Sequence, residues 1–185
     1  TNVTVDVDQA GLVTGEGTYD VSDVAGAIEA EAEKTNAGVL DNADDVSADA
    51  TVTLTVAEYK ALDDADTDLL TNYSIEDTAV AINAEAALTG AGILAGATSI
   101  ESNDVNLTLT IAQADLIDGL LTTAYDVVDA ANAIESAFDT TSLKDALLGA
   151  ASVDYVVGEA ARADLNVAEY SALNANVTHT AADFT

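Results

Sequence analysis

Short stretches of alternating polar and apolar residues predict β-strands at three places. They read NVTVD at residues 2–6, TVTLT at 51–55 and NLTLT at 106–110. In each stretch valine or leucine occupies one face, and threonine or asparagine occupies most of the other. This alternation is typical of a strand with one buried face, so we expect a half-buried strand at each place.

A helix-start pattern occurs four times, and three of its copies directly follow these strands. The first residues of the pattern are Asp6, Thr55, Thr110 and Asn166. Glutamate or glutamine follows each of them at the third position, which is the spacing of a capping box that satisfies two backbone N–H groups. The apolar residues that follow seven positions after the first are Val13, Leu62, Ile117 and Leu173. They lie two helical turns further on, so we expect a capped helix with one buried face.

A second pattern occurs three times. It reads YDVSDVAGAI from Tyr19, YSIEDTAVAI from Tyr73 and YDVVDAANAI from Tyr125. Tyrosine followed at the second position by Val or Ile predicts a short strand, and the aspartate that comes next favours the positive end of a helix. The predicted N-caps are Asp23, Asp77 and Asp129. We expect each tyrosine ring to pack on a neighbouring helix with its hydroxyl at the rim.

Together the two patterns predict an α+β fold of tandem repeats, each about 53 residues long. Each repeat reads strand–helix–strand–strand–helix, with small sheets packed against short helices, and TSIES at 98–102 predicts one of the brief strands. The predicted boundaries are 1–18 for a half repeat (a strand plus a capped helix), 19–72, 73–124 and 125–176 for three repeats, and 177–185 for the truncated start of a fourth.

The charge narrows the range of partners. There are 34 acidic residues against four basic ones, a formal net charge of −30, which repels nucleic acid and anionic membrane surfaces. Such a chain suits a salty medium, where charges are screened over about 10 Å or less. The most apolar region, residues 79–100, is interrupted by Asn83 and Glu85, so we expect core elements there and no membrane insertion.

The residues offer little for catalysis. Cysteine is absent, which excludes disulfides, thiolate metal sites and a cysteine nucleophile. His179 is the single histidine, and no G-x-S-x-G elbow, phosphate-binding loop or dinucleotide fingerprint occurs. We therefore expect a non-enzymatic protein in which the repeated aspartates serve as helix caps.

Calcium is the one candidate cofactor. The stretch DDADTD at 63–68 places Asp64, Asp66 and Asp68 at alternate positions, as in oxygen-ligand loops. An EF-hand loop that begins at Asp64 would need glutamate where Ile75 stands, and its glycine is also missing. The incomplete pattern favours a solvated acidic turn over a calcium site.

Glycans are a further candidate partner. Four N-x-Ser/Thr triplets, at Asn2, Asn72, Asn106 and Asn176, have the sequence of N-glycosylation acceptors. In a threonine-rich chain some of these triplets are expected by chance.

YSIEDTAVAI together with LTLTIAQADL resembles the repeats of large secreted bacterial surface proteins, such as the S-layer and adhesin-like proteins of cyanobacteria and other aquatic bacteria. The resemblance covers nearly the whole chain and implies an extracellular scaffolding or adhesive role. One interpretation is a self-associating subunit of a fibre or surface layer, polymerising by exchange of terminal strands. The alternative is a calcium-stiffened adhesive or ligand-binding segment of a longer surface protein.

Overall fold

The computed structural model describes residues 3–13, 19–63, 70, 72–156 and 164–179. The fold is α+β, with small parallel sheets packed against short helices, as the sequence predicts. The chain divides into two compact units. The first contains Thr1–Asp77 and Gly96–Glu101, and the second contains Thr78–Ala95 and Ser102–Thr185.

The first unit is built on two small sheets. Its helices and strands are β1 (Val3–Val5), α1 (Val7–Ala10), β2 (Tyr19–Asp23), α2 (Ala25–Ala32), β3 (Ala43–Ala48), β4 (Val52–Leu54), α3 (Val56–Asp63), β5 (Tyr73–Asp77) and β6 (Ile100–Ser102), whose last residue lies at the boundary with the second unit. The strand orders are β1-β2-β3 and β4-β5-β6. β1 pairs in parallel with β2, and β4 with β5, so that Val3 and Val52 lie opposite Tyr19 and Tyr73 in the same register.

The second unit is built on a four-stranded sheet with the order β10-β9-β8-β7. Its helices and strands are α4 (Ala79–Ala86), β7 (Leu107–Leu109), α5 (Ile111–Ile117), β8 (Tyr125–Asp129), α6 (Ala131–Ala137), α7 (Thr141–Gly149), β9 (Ser152–Tyr155), α8 (Val167–Asn176) and β10 (Thr178–His179). All neighbouring strands of this sheet run parallel, and Leu107 lies opposite Tyr125.

Along the chain, the elements form three successive segments that read strand–helix–strand–helix–strand, and the third has an additional helix, α7, before its last strand. The first runs from β1 to β3, the second from β4 to β6 and the third from β7 to β9. From Tyr19 and from Tyr73 the element order follows the predicted strand–helix–strand–strand–helix order, whereas from Tyr125 the described elements are β8, α6, α7, β9 and α8. The two consecutive strands of that order do not pair with each other, however. β3 and β4 lie in different sheets, and so do β6 and β7. The sequence patterns did not distinguish these two arrangements.

Two tight 3-10 segments, Thr35–Asn42 and Thr89–Gly96, follow α2 and α4. Each is broken by three consecutive residues with positive φ: Asn36, Ala37 and Gly38 in the first, and Gly90, Ala91 and Gly92 in the second. The left-handed region is costly for an alanine, so these turns need support from their surroundings. The sequence analysis did not predict them. In the third segment helix α7 occupies the corresponding place.

The core is aliphatic and follows the predicted spacing. Ile28, Ile82 and Ile134, the last residues of the three tyrosine patterns, are fully buried. The apolar residues seven positions into the capped helices are also buried at Leu62, Ile117 and Leu173. Val13 differs, because α1 ends at Ala10 and leaves it 43% exposed. In the described part of the chain, no helix is both long and apolar enough to cross a bilayer.

Candidate functional site: the carboxylate joints

The four predicted capping boxes are present. Thr110 and Asn166 are the N-caps of α5 and α8, each with reciprocal bonds to the residue three positions on, and Asp6 does the same for α1. At α3 the Thr55 N–H donates to Glu58 Oε2 (2.7 Å), and the Glu58 N–H donates to Thr55 Oγ1 (3.2 Å). The local pattern was sufficient here because both partners of a capping box lie within one helical turn.

The prediction that Asp23, Asp77 and Asp129 are the N-caps of the helices that follow them is wrong. The caps lie one residue later, at Val24, Thr78 and Ala130. The three aspartates are the last residues of β2, β5 and β8. The last residue of each of these strands lies beside the helix that follows the neighbouring strand. The carboxylate of the aspartate therefore accepts a hydrogen bond from that helix.

Each of these aspartates accepts the first backbone N–H of the capped helix beside it. Asp23 Oδ2 accepts from Val7, Asp77 Oδ2 from Val56 and Asp129 Oδ2 from Ile111, and the distance is 3.0 Å in all three. The second oxygen of Asp23 and of Asp129 accepts the N–H of the next residue at 2.7 Å. The carboxylate thus joins the end of one strand to the helix that follows the strand beside it, and it favours the positive end of that helix.

Two further aspartates, which the sequence analysis missed, do the same for the second helices. Asp49, just beyond β3, accepts the Ala25 N–H of α2 at 3.0 Å, and Asp104, beyond β6, accepts the Ala79 N–H of α4 at 2.8 Å. Hydrogen bonds from the backbone N–H groups of Ala79 and then Val105 lower the pKa of the Asp104 carboxyl. Asp49 directly follows β3 and Asp104 lies two residues after β6, so both are placed near a strand end, as the strand-end aspartates are.

A glutamate in the second helix of a segment also binds the chain just before the next capping box. Glu29 of α2 accepts the Thr53 N–H of β4 at 2.7 Å. Glu135 of α6 accepts the Asp164 N–H at 2.5 Å, two residues before the Asn166 cap, as Thr53 is two residues before Thr55. The Val52 N–H donates to the carbonyl of Asn72, just before β5. Because successive N–H groups of a strand point to opposite sides, the Thr53 N–H points away from β5, to the outer edge of β4. We call this contact the edge bond.

The corresponding position of α4 lacks the edge bond. Asn83 follows the buried Ile82, as Glu29 follows Ile28, and α4 packs against β7 as α2 packs against β4. The Oδ1 atom of Asn83 is buried and has no hydrogen-bond partner. The packing of the helix on the strand is the same, but the side chain of asparagine is one methylene shorter than that of glutamate, and the hydrogen bond is lost.

A second pair of glutamates stabilises the left-handed turns. Glu31 and Glu85 are 3% and 2% exposed, and they accept the N–H groups of Val39 (2.8 Å) and Ile93 (3.1 Å) inside the turns. Burial would raise the pKa of the Glu31 carboxyl, but the hydrogen bonds from Lys34 and Val39 and the positive charge of Lys34 together outweigh burial and lower that pKa. Lys34 also forms an ion pair with Glu31.

The third segment supports this relation between the glutamate and the turn. Ala137 occupies the position three residues after Ile134, where the other two segments have Glu31 and Glu85. The left-handed turn is absent there too, and α7 takes its place. The carboxylate and the turn therefore occur together or not at all.

The tyrosines are more enclosed than the sequence predicted. Tyr19, Tyr73 and Tyr125 are 7%, 3% and 6% exposed. The hydroxyl of Tyr19 donates to the Val39 carbonyl at 2.7 Å, and that of Tyr125 donates to the Ala146 carbonyl at 2.6 Å. Burial, with a smaller contribution from Asp118, raises the pKa of Tyr125 to about 12. These two hydroxyls fasten their strands to the following helical segments.

The candidate calcium ligands Asp64, Asp66 and Asp68 lie outside the described residues. Within the described ranges, no cluster of three or more His, Asp or Glu side chains is arranged to hold a metal ion. Of the remaining candidates, His179 lies in β10 beside β9. The carboxylates described in this section accept backbone N–H groups at helix starts, before a capping box and in the left-handed turns. Comparisons with protein-family models, with curated proteins and with solved structures gave no match.

Proposed function

We propose that this protein is a non-enzymatic structural component of an extracellular bacterial assembly, either a fibre or a surface layer, and that its segments are copies of one repeat. The observation that carries the proposal is the edge bond. It occurs at Glu29–Thr53 and at Glu135–Asp164, and each time it joins the residue after a buried helix isoleucine to the residue two positions before the start of a capping box. Contacts that recur at the same positions between successive segments are what a tandem array needs, because each unit is stabilised mainly by its neighbours.

The strand-end aspartates support the same proposal. Asp23, Asp77 and Asp129 make the same contact at the same distance in all three segments. Residues that bind a substrate are usually needed once, whereas residues that hold a building block together are needed in every block. The extracellular location and the fibre or lattice form rest on the resemblance to secreted bacterial surface proteins.

Self-association into a homopolymer by strand exchange is part of this proposal. β1 pairs with β2 and β10 pairs with β9 within the chain. Exchange would therefore replace an internal pairing with the same pairing to a neighbour, as in a domain swap.

Electron microscopy and sedimentation velocity test the assembly, with the purified chain compared at about 0.1 M and about 1 M salt, where the Debye lengths are about 10 Å and 3 Å. Ordered filaments or lattices in the high-salt sample are expected, because the repulsion between chains of charge −30 is then screened. A chain that stays monomeric at both salt concentrations and at all protein concentrations would argue against a self-assembling subunit.

The second candidate function is a calcium-stiffened adhesive segment of a longer surface protein. The acidic run at 63–68 favours it. Thermal unfolding with calcium and with magnesium, at the same concentration and ionic strength, distinguishes the two proposals, because screening by either cation is similar and only a calcium site raises the midpoint with calcium alone.

A further inference from the structure

The outer edge of β1 has the backbone geometry of an edge that is covered elsewhere in the chain. Val3, like Val52 and Leu107, lies opposite the starting tyrosine of its sheet, and a capped helix follows each of the three strands. In a parallel ladder alternate residues point their N–H groups toward the neighbouring strand. The shared register therefore makes Thr4 equivalent to Thr53, with its N–H directed away from β2.

The first residue of β1 is exposed, whereas the equivalent residues of β4 and β7 are buried under a helix. α2 packs on β4, and α4 packs on β7, and the first residues of those strands, Val52 and Leu107, are fully buried. Val3 at the same position is 67% exposed. The main contact of β1 is with β2, on the other side of the strand. An apolar residue with an outward backbone N–H is the arrangement that a glutamate-bearing helix covers at β4.

We propose that the edge of β1 binds the second helix of another copy of the repeat, with the glutamate at the Glu29 position accepting the Thr4 N–H and the helix covering Val3. This inference rests on the proposed function, since it assumes that the segments are interchangeable copies. The occupant is chosen from internal precedent, because the chain covers the equivalent strands β4 and β7 with α2 and α4. The edge of β1 would recognise its partner through one hydrogen bond, from the Thr4 N–H to a glutamate carboxylate, and through the contact of Val3 with the aliphatic face of a helix.

The direct test adds the occupant to the whole chain. A copy of residues 3–51 is fused in front of Val3, so that Thr51 leads into Val3 as it leads into Val52 in the natural chain. Hydrogen exchange is then measured at the Thr4 and Thr53 amides. We expect the Thr4 amide to exchange at least about tenfold more slowly in the fusion than in the parent chain, because it becomes hydrogen-bonded and covered.

The matched control is the same fusion with Glu29→Ala in the added copy only. It keeps the helix and its apolar face and removes the carboxylate, so protection of Thr4 should fall back toward the parent value. Equal Thr4 exchange in the parent chain and in the fusion, with Thr53 still protected, would overturn the inference. The proposed function would survive that outcome if the parent chain still formed filaments or lattices.

A second pair of variants needs no fusion. Thr4→Pro and Thr53→Pro each remove one outward N–H from a first strand, a place where proline is tolerated when that N–H is unused. Thr53→Pro should lower the folding equilibrium constant about tenfold more than Thr4→Pro, because it alone leaves Glu29 without its partner. Equal losses would show that the Thr4 amide is already used within the chain, and this would reject the proposal even if the fusion failed to fold.

Discussion

Asn83 is the place where a single methylene group tests the edge bond. Its side-chain oxygen is buried without a partner, whereas Glu29 at the equivalent position holds the Thr53 N–H at 2.7 Å. Asn83→Gln lengthens the side chain by one methylene and keeps it uncharged. We expect the new Oε1 to reach the outward N–H of Thr108, the residue of β7 that corresponds to Thr53.

The size of the effect follows from the cost of an unsatisfied group. A buried acceptor without a partner costs about 1–3 kcal/mol, and a typical neutral hydrogen bond returns about 1 kcal/mol net. We therefore expect Asn83→Gln to raise the free energy of unfolding by about 1 kcal/mol. For a chain of this length that gain corresponds to an increase in Tm of about 2–4 °C.

Two controls separate the hydrogen bond from other effects. Asn83→Ala removes the unsatisfied oxygen and improves helix propensity by at most about 0.7 kcal/mol, but it makes no bond. Glu29→Gln keeps an acceptor for the Thr53 amide and should cost little, whereas Glu29→Ala should cost about 1–2 kcal/mol. Urea unfolding gives the stabilities, and amide exchange at Thr108 reports the bond. Because Asn83→Ala also removes the unsatisfied oxygen, amide exchange decides between the explanations: if the Thr108 amide exchanges as fast in Asn83→Gln as in Asn83→Ala, the edge bond is not the joint that we describe.

Three further predictions address the turns, the tyrosines and the strand-end carboxylates. In urea unfolding, Gly92→Ala should destabilise the fold by at least about 2 kcal/mol more than Gly90→Ala. Both glycines have positive φ, but only at Gly92 would an added Cβ clash with the carboxylate of the buried Glu85. Tyr125→Phe should cost about 1 kcal/mol at neutral pH, through the lost bond to the α7 carbonyl. The pKa of Tyr125 in the folded protein, about 12, exceeds the usual 10.0, so the stabilisation from its protonated hydroxyl is complete below pH 10 and is lost as the pH rises through 12. Tyr125→Phe should therefore make the free energy of unfolding less dependent on pH between 10 and 12. Asp129→Ala should lower the free energy of unfolding by about 1–2 kcal/mol in thermal melts, and the exposed Asp139→Ala should leave it within about 0.5 kcal/mol.

The elements that the sequence predicted well are those whose causes are local. A capping box such as Thr110 with Gln113 places both partners within one helical turn, and the alternation of β4 and β7 states directly which face is buried. The same local view misassigned the strand-end aspartates. It credited Asp77 to the helix next in sequence, whereas the N–H that it accepts belongs to Val56, 21 residues earlier.

The joints between segments were beyond a local pattern for the same reason. Glu29 and Thr53 are 24 residues apart, and nothing around Glu29 distinguishes it from the other exposed-face acids of a chain with 34 of them. The left-handed turns did leave a signal in the sequence. AGVL at 37–40 and AGIL at 91–94 each follow a helix that carries a glutamate, and a glycine that recurs after a helix indicates a position with positive φ.

The acidity of the chain takes on two opposing roles in this structure. The aspartates named above that accept backbone N–H groups at helix starts are Asp6, Asp23, Asp49, Asp77, Asp104 and Asp129. Their contacts are about 3 Å long, which is well inside the Debye length of about 8–10 Å at moderate salt, so screening removes little of them. The mutual repulsion of the remaining acids acts over longer distances and is screened. Adding salt should therefore raise the free energy of unfolding measured in urea, and a decrease with salt would mean that the caps act mainly as long-range charges on the helix dipoles.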